Sequence, residues 1–177
     1  MKLPEALVEK AASTKESRYT LQAVKADVEG KRIMATDGHA LAIVPCEFAD
    51  GDQSTLIPLA AMKELRAMQK ANKKIPLDVT INGTIKATGI DGGAREFRAL
   101  EGQFPNVDAV RPKGEAYEGA ATICLDYRLL ANLAEALGAT KDSPAIKLWI
   151  RDKQSAIKVQ VGANPEAEGV FMPMGDF

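Results

Sequence analysis

Three successive segments of the sequence follow one plan, in which an amphipathic helical segment precedes two or three strands of alternating apolar and polar residues. The helices are predicted at residues 4–13, from an opening at 55–58 to about 72, and at 126–137. This internal repeat predicts an α+β fold of antiparallel sheets with the helices gathered on one face. With 177 residues, 46% of them hydrophobic, the chain can bury a proper core.

The strands alternate in polarity and are separated by short turns. They are predicted at residues 19–28, 32–44, 77–81, 84–88, 95–100, 146–151 and 157–161. The turn signals between them are Glu29-Gly30, Asn82-Gly83 and Asp91-Gly92-Gly93. The last two supply residues that tolerate positive φ, as tight hairpins require.

The third helix carries clear signals at both ends. Asp126 is a plausible N-cap, and Gly138 suits a left-handed exit from the helix. Its spacing predicts a buried stripe of Leu129, Leu130, Leu133 and Leu137. Residues 104–120 hold prolines, glycines and charges without apolar periodicity and are predicted to form a linker. Two repeats therefore pair into one domain, and a single repeat follows the linker.

Composition excludes several classes of protein. The net charge is only −1, so attraction to nucleic acid must come from the arrangement of basic residues. The two cysteines, Cys46 and Cys124, lie in apolar runs without metal-ligand spacing and are expected to be reduced core residues. No metal or cofactor is expected. Since no signal-peptide stretch and no run of about 18 apolar residues occurs, a cytoplasmic protein is expected.

An enzyme is one alternative, because Asp37 and the lone histidine, His39, lie two residues apart. No nucleophile motif, phosphate-binding loop, zinc-protease motif or second histidine accompanies them. His39 is more typical of a turn or a cleft wall, with Asp37 bonding the backbone around Gly38. The sequence therefore favours a non-catalytic protein.

Positive charge collects on one side of the second helix. Lys63, Arg66, Lys70, Lys73 and Lys74 fall within an arc of about 100°. Lys10, Lys15 and Arg18 add charge near the first helix. Such a surface can bind phosphates without base contacts, although many surface helices carry solvated lysines for no such purpose.

Four short segments resemble the bacterial DNA polymerase III β sliding-clamp family. They are residues 18–22 (Arg-Tyr-Thr-Leu-Gln), 35–42 (Ala-Thr-Asp-Gly-His-Ala-Leu-Ala), 100–105 (Leu-Glu-Gly-Gln-Phe-Pro) and 171–174 (Phe-Met-Pro-Met). By this resemblance, residues 1–113 correspond to the complete middle domain of the family. Residues 114–177 correspond to the second half of its last domain.

The resemblance implies a ring with helices lining a hole for duplex DNA. Arg18 and Tyr19 match DNA contacts of the family, beside the basic residues already named. A partner-peptide cleft carries over onto Leu21, Thr36, Gly38, His39, Leu41, Pro105, Val110, Val170, Met172, Pro173 and Met174. Such a groove would be apolar and adaptable. The alternative is that these apolar residues are ordinary strand and edge residues.

The expected function is that of a sliding clamp, a polymerase processivity factor that holds duplex DNA and binds a peptide of a polymerase or clamp loader. The chain has three repeats where a family subunit has six, so a homo-oligomeric ring would need four copies. The alternative is a clamp-like interaction or regulatory module that binds clamp ligands without encircling DNA. Two departures bear on cleft specificity: Ala40 stands where a basic residue is common, and the chain continues through Gly175, Asp176 and Phe177.

Overall fold

The computed structural model describes residues 1–72, 75–109 and 122–175. The chain divides into two compact units, Met1–Ala109 and Val110–Phe177. In both units the strands pair antiparallel, as the α+β prediction requires. The predicted boundary near residue 113 falls in a stretch outside the described residues. No described helix has the length and apolar character to cross a membrane.

The described residues of the first unit form seven strands and one α-helix. In chain order they are β1 Ala23–Asp27, β2 Arg32–Thr36, β3 Leu41–Pro45, β4 Thr55–Pro58, α1 Leu59–Ala71, β5 Val79–Ile81, β6 Thr84–Thr88 and β7 Ala94–Arg98. One sheet has the order β3-β2-β1-β4 and the other β5-β6-β7. The hairpin glycines Gly83 and Gly92 have the positive φ that the sequence predicts.

Both sheets of the first unit contribute to one core. Alternate side chains such as Val24 and Ile33 from one sheet and Ile81 and Ile85 from the other are fully buried. Helix α1 adds Ala61, Met62 and Leu65 to this cluster. The two repeats therefore close over each other, which leaves the opposite side of α1 exposed to solvent.

The predicted first helix at residues 4–13 is wrong in extent. Only a four-residue 3-10 turn, Val8–Ala11, forms, and a second 3-10 segment, Glu16–Leu21, replaces the start of the predicted strand. The guanidinium of Arg66 donates to the carbonyl oxygens of Pro4 and Ala6. In an α-helix those two carbonyls would accept the N–H groups four residues later. The Ala6 carbonyl also accepts the Val8 N–H at 3.0 Å, so a short turn braced by Arg66 stands where the sequence predicts an α-helix.

The predicted linker is also wrong in its first part. Phe104 and Val107 are buried on the second face of the four-stranded sheet, against Met34 and Leu56. A 3-10 turn, Val107–Ala109, ends this packed segment. Asp108 then receives two hydrogen bonds from Arg32, at 2.9 and 2.6 Å. The remainder of the predicted linker, residues 110–120, lies outside the described residues.

The second unit is a single repeat. It contains α2 Tyr127–Ala136, β8 Ile146–Trp149, β9 Ile157–Val161 and β10 Asn164–Phe171, with the sheet order β10-β9-β8. The Asp126 carboxylate accepts the backbone N–H of Arg128, which confirms the predicted N-cap. Helix α2 packs on β9 and β10, and Leu133 and Leu137 lie so close to Gly169 that a Cβ there would be 2.8–3.1 Å from them.

The leucine stripe of α2 is less buried than the sequence predicts. Leu129 is 53% exposed, and Leu130, Leu133 and Leu137 are half-buried. In the first unit a second repeat closes over the equivalent apolar face, whereas the described residues of the second unit form one repeat. Ile146 on the edge strand β8 is likewise exposed, although it shares a sheet face with the buried Val161.

Gly138→Ala is expected to destabilise the second unit by about 1–2 kcal/mol. Gly138 ends α2 at φ +100°, and a Cβ there would make only an ordinary contact with Asn164 Cβ at 3.8 Å, so backbone strain sets the loss. Urea unfolding followed by fluorescence of the single tryptophan, Trp149, reports on this unit. Gly138→Asn is the control, because asparagine tolerates the left-handed region and should retain most of the stability. Equal stability of Gly138→Ala and the parent would contradict this reasoning.

Candidate functional site

The turn between β2 and β3 is held by its own side chains. Gly38 has φ +90°, which glycine adopts without strain. Asp37 Oδ1 accepts the backbone N–H groups of His39 and Ala40, each at 2.8 Å. Thr36 Oγ1 donates to the Ala40 carbonyl at 2.6 Å and accepts the Gly38 N–H at 3.0 Å. The turn is therefore a preorganised surface feature.

Those hydrogen bonds explain the charge state of the acidic residue. The N–H groups of Ala40 and His39 lower the pKa of the Asp37 carboxyl below its usual value. A carboxylate occupied by backbone donors is a structural acceptor, as the sequence analysis predicts for Asp37. Among the described residues no group of three or more His, Cys, Asp or Glu side chains could hold a metal ion.

Four predicted cleft residues of the first unit lie together at the turn between β2 and β3. Two others, Leu21 and Pro105, belong to different segments of this unit. Thr36, Gly38, His39 and Leu41 lie on or beside the turn. Leu21 ends the Glu16–Leu21 segment, and its carbonyl accepts the N–H of Ser13. Ser13, Arg18, Asp37 and His39 line one small pocket of about 100 Å³.

Pro105 lies on a separate depression of about 720 Å³ along the second face of the four-stranded sheet. Charged residues dominate one side of this depression, where Arg32 bonds both Asp27 and Asp108. It is therefore a poor apolar groove, despite its size. Val110, another predicted cleft residue, lies outside the described residues.

The second unit presents the remaining cleft residues as exposed apolar side chains. Val170 is 57% exposed, Met172 60% and Met174 49%. The Met174 N–H donates to the Cys124 carbonyl at 2.9 Å, which fixes this segment at one point. Pro173 between the methionines is half-buried. Because Val170, Met172 and Met174 are exposed, packing in a core does not explain why these positions are apolar.

Arg66 does not contribute to the exposed basic face that the sequence predicts for α1. Arg66 has only 13% of its side chain exposed and donates to both oxygens of Glu9, at 2.8 and 2.9 Å. Its guanidinium braces residues 4–9 against α1, so it is not available to a phosphate. Lys63 and Lys70 are exposed and lie seven residues apart on one side of the helix. Lys73 and Lys74 lie outside the described residues.

The other predicted DNA contacts lie within the 3-10 segment Glu16–Leu21 or precede it in the sequence. Lys10, Lys15 and Tyr19 are exposed, and Arg18 is half-buried. The Arg18 guanidinium donates to the Asp37 carbonyl, which links this segment to the turn 36–41. No sequence signal pointed to that contact, because the two residues are 19 positions apart and belong to different elements.

A comparison with protein families now decides the family. Residues 6–106, more than half of the chain, match the family described as DNA polymerase III beta subunit, central domain. The chain belongs to the DNA polymerase III β-subunit family. The match includes three of the four segments that carry the resemblance, residues 18–22, 35–42 and 100–105, and the resemblance to this family is confirmed.

Relatives of this β-subunit family member are sliding clamps. The beta sliding clamp of Synechococcus elongatus is 28% identical over 90% of this chain and 44% of its own length. The clamp of C. crescentus, crystallised with PEG bound, is 25% identical with a TM-score of 0.70 over 94% of this chain and 45% of that one. The Bartonella birtlesii clamp bound to griselimycin has a TM-score of 0.74 at 21% identity, over 96% and 48% of the two chains.

These alignments cover nearly all of this chain but less than half of each relative. This β-subunit family member spans about half the length of the relatives that it matches. The Bartonella similarity shows the fold alone, since its identity is below 25%. The sliding-clamp fold predicted from the sequence is confirmed.

The two cysteines of this family member are free. Cys46 is buried, and burial raises the pKa of its thiol to about 11. Its Sγ donates to the Lys2 carbonyl at 3.4 Å. Cys124 is half-buried. A thiol with so high a pKa stays protonated at neutral pH, which fits the predicted role of Cys46 as a core residue.

Proposed function

We propose that this chain is a non-catalytic sliding clamp that holds duplex DNA without reading its sequence and binds a peptide of a polymerase or clamp loader. The match of residues 6–106 to the central-domain family carries the proposal, because it includes both the turn 36–41 and helix α1. Such a role at DNA implies a cytoplasmic location.

The solvent side of α1 supports the DNA part of the proposal. Lys63 and Lys70 are separated by two helical turns, about 10 Å along the axis, with exposed Ala60 and Ala67 on the same side. Small side chains let a phosphate backbone approach the helix, while the two ammonium groups displace counterions. Contacts of this kind position DNA and carry no sequence information.

Each unit by itself supports the partner-peptide cleft, the second through exposed apolar side chains and the first through a hydrogen-bonded turn. Met172 and Met174 are flexible and polarisable, so they can adapt to different ligand side chains. At the turn 36–41, the exposed side chain of Leu41 adds apolar surface next to the hydrogen-bonded backbone. Since the Bartonella and Pseudomonas aeruginosa clamps have been crystallised with griselimycin, this compound is a suitable probe of the proposed cleft.

A homo-oligomeric ring, a tetramer by the count of repeats, completes the proposal. Its support is the incomplete burial in the second unit, where Leu129 and Ile146 remain exposed on the faces that a further repeat covers in the first unit. Burial of apolar surface between copies would stabilise the assembly by roughly 25 cal/mol per Å².

Two measurements on the purified chain test this function. Multi-angle light scattering over a range of concentrations is expected to give a mass above that of the 19.0 kDa monomer. Anisotropy of a short labelled duplex is expected to show binding that weakens steeply with added salt and does not depend on sequence. A monomer mass at every concentration would end the ring proposal, and salt-independent or absent DNA binding would end the DNA proposal.

A second function is favoured by one observation, the commitment of Arg66 to Glu9. Without Arg66 the described solvent side of α1 presents Lys63, Lys70 and the opposing Glu64. An α1 surface with so little positive charge suits a chain that binds clamp ligands and never holds DNA. Griselimycin binding without DNA binding in the measurements above would select this regulatory module.

A further inference from the structure

The side chain of Arg18 lies over the turn 36–41, which carries four of the predicted cleft residues. Its Nη1 group donates to the Asp37 carbonyl, and a Cβ added to Gly38 would lie 2.5 Å from Nη1. The guanidinium therefore fills the position that the missing side chain of Gly38 leaves open. Any larger residue at position 38 would require the guanidinium to move.

Arg18 also belongs to the basic segment proposed to face DNA. It lies within Glu16–Leu21 at a backbone kink, with φ −115° and ψ 53°, between the exposed Lys15 and Tyr19. Arg18 thus contacts the turn 36–41 and also lies among the residues proposed to contact phosphates. The small pocket that it shares with His39 joins the two regions directly.

We infer that Arg18 is a positioning residue that couples the two proposed sites, so that a ligand in the cleft and DNA strengthen each other's binding. The inference rests on the proposed function, because it assumes that the chain has both ligands. It goes beyond that function by assigning the link between them to one hydrogen bond, from the Arg18 guanidinium to the Asp37 carbonyl.

The geometry of arginine sets the sign of the coupling. A guanidinium has five N–H donors in a planar fork, and the turn uses the Nη1 side of it. A cleft ligand that packs on the turn holds the Asp37 carbonyl in place and with it the orientation of the guanidinium. The remaining donors are then preorganised for a phosphate, which removes the loss of side-chain freedom from the free energy of DNA binding.

The expected coupling is about three- to tenfold, the range that follows from ordering one long side chain. It is reciprocal, since linkage requires DNA to strengthen cleft binding by the same factor. The measurement is the Kd of griselimycin, by titration calorimetry at low salt, with and without a saturating short duplex. The ratio of the two Kd values is the quantity compared between variants.

Arg18→Lys keeps the charge but replaces the planar fork with a flexible ammonium. Its Kd ratio is expected to fall to about one, and Arg18→Gln provides a second test without charge. Lys15→Gln is the matched control: it removes a neighbouring positive charge, so DNA affinity falls while the ratio stays at its original value. Circular dichroism of each variant establishes that the fold is retained.

The outcomes separate this inference from the proposed function. If the unmodified chain binds both griselimycin and DNA with a ratio of one, the coupling is overturned and the clamp function stands. A ratio that persists unchanged in Arg18→Lys and Arg18→Gln also overturns the role of Arg18. If the unmodified chain fails to bind one of the two ligands, the proposed function fails and the coupling fails with it.

Discussion

Replacing Met172 and Met174 together with aspartate is expected to weaken griselimycin binding more than about 100-fold and to leave folding unchanged. Both side chains are about half exposed or more in the free chain, so a carboxylate at either position remains hydrated. A ligand that covers them would remove that water, and burying an unpaired carboxylate costs several kcal/mol. Titration calorimetry measures the affinity, and urea unfolding measures the stability.

The matched control for this change is the Met172→Leu and Met174→Leu pair. Leucine keeps the apolar surface and similar volume, so the affinity is expected to stay within about tenfold. DNA anisotropy of the aspartate variant is expected to match that of the parent chain after allowance for the added negative charge. Retained griselimycin affinity in the aspartate variant would remove these methionines from the cleft.

Charge reversal on α1, Lys63→Glu with Lys70→Glu, is expected to reduce DNA affinity at least about tenfold. Each lysine that contacts a phosphate contributes roughly 0.9 to the slope of log K against log salt, so the slope should fall by about two. Both side chains are exposed, and no described contact of the core depends on them. Duplex anisotropy across a salt series gives both quantities, while griselimycin affinity should not change.

A control variant changes the net charge by the same amount as the α1 variant, but at positions outside α1. Arg95→Glu with Arg98→Glu does so on exposed positions of β7 in the same unit. A small, general loss of affinity is expected there, because distant charges are screened over about 10 Å. If both pairs weaken DNA binding equally, the solvent side of α1 is not the DNA face.

Arg66 is unsuitable for the same test, although the sequence places it in the basic arc. Its replacement would leave the Glu9 carboxylate, 18% exposed, without its partner and would remove one of the donors to the carbonyls of Pro4 and Ala6. Removing one partner of a largely buried pair is strongly destabilising. A loss of DNA binding in such a variant would therefore report on folding as much as on charge.

Local signals predicted much of the fold and some of the site. The hairpin glycines, the Asp126 cap and the exit at Gly138 depend on the φ preferences and side-chain hydrogen bonds of neighbouring residues. The β2–β3 turn with its Asp37 acceptor follows for the same reason. These features need no knowledge of distant contacts, and the structure has them where the sequence indicates.

Several other features could not be predicted because distant residues determine them. Periodicity alone favours a full helix at residues 4–13, but this segment forms only short turns, and Arg66, some 60 positions away, braces its carbonyls. Periodicity also predicts that Leu129 is buried, yet only a neighbouring repeat could cover it. The packing of Phe104 within a segment of linker-like composition has the same origin.

The sequence by itself determined the α+β repeat, the turns and the family of this chain, since these depend on alternation, spacing and short motifs. Tertiary structure decided which cations remain available, removing Arg66 to Glu9 and placing Arg18 over Gly38. The physical reason is that a charged side chain bonds the nearest acceptor in space, and its separation along the chain carries no information about that distance.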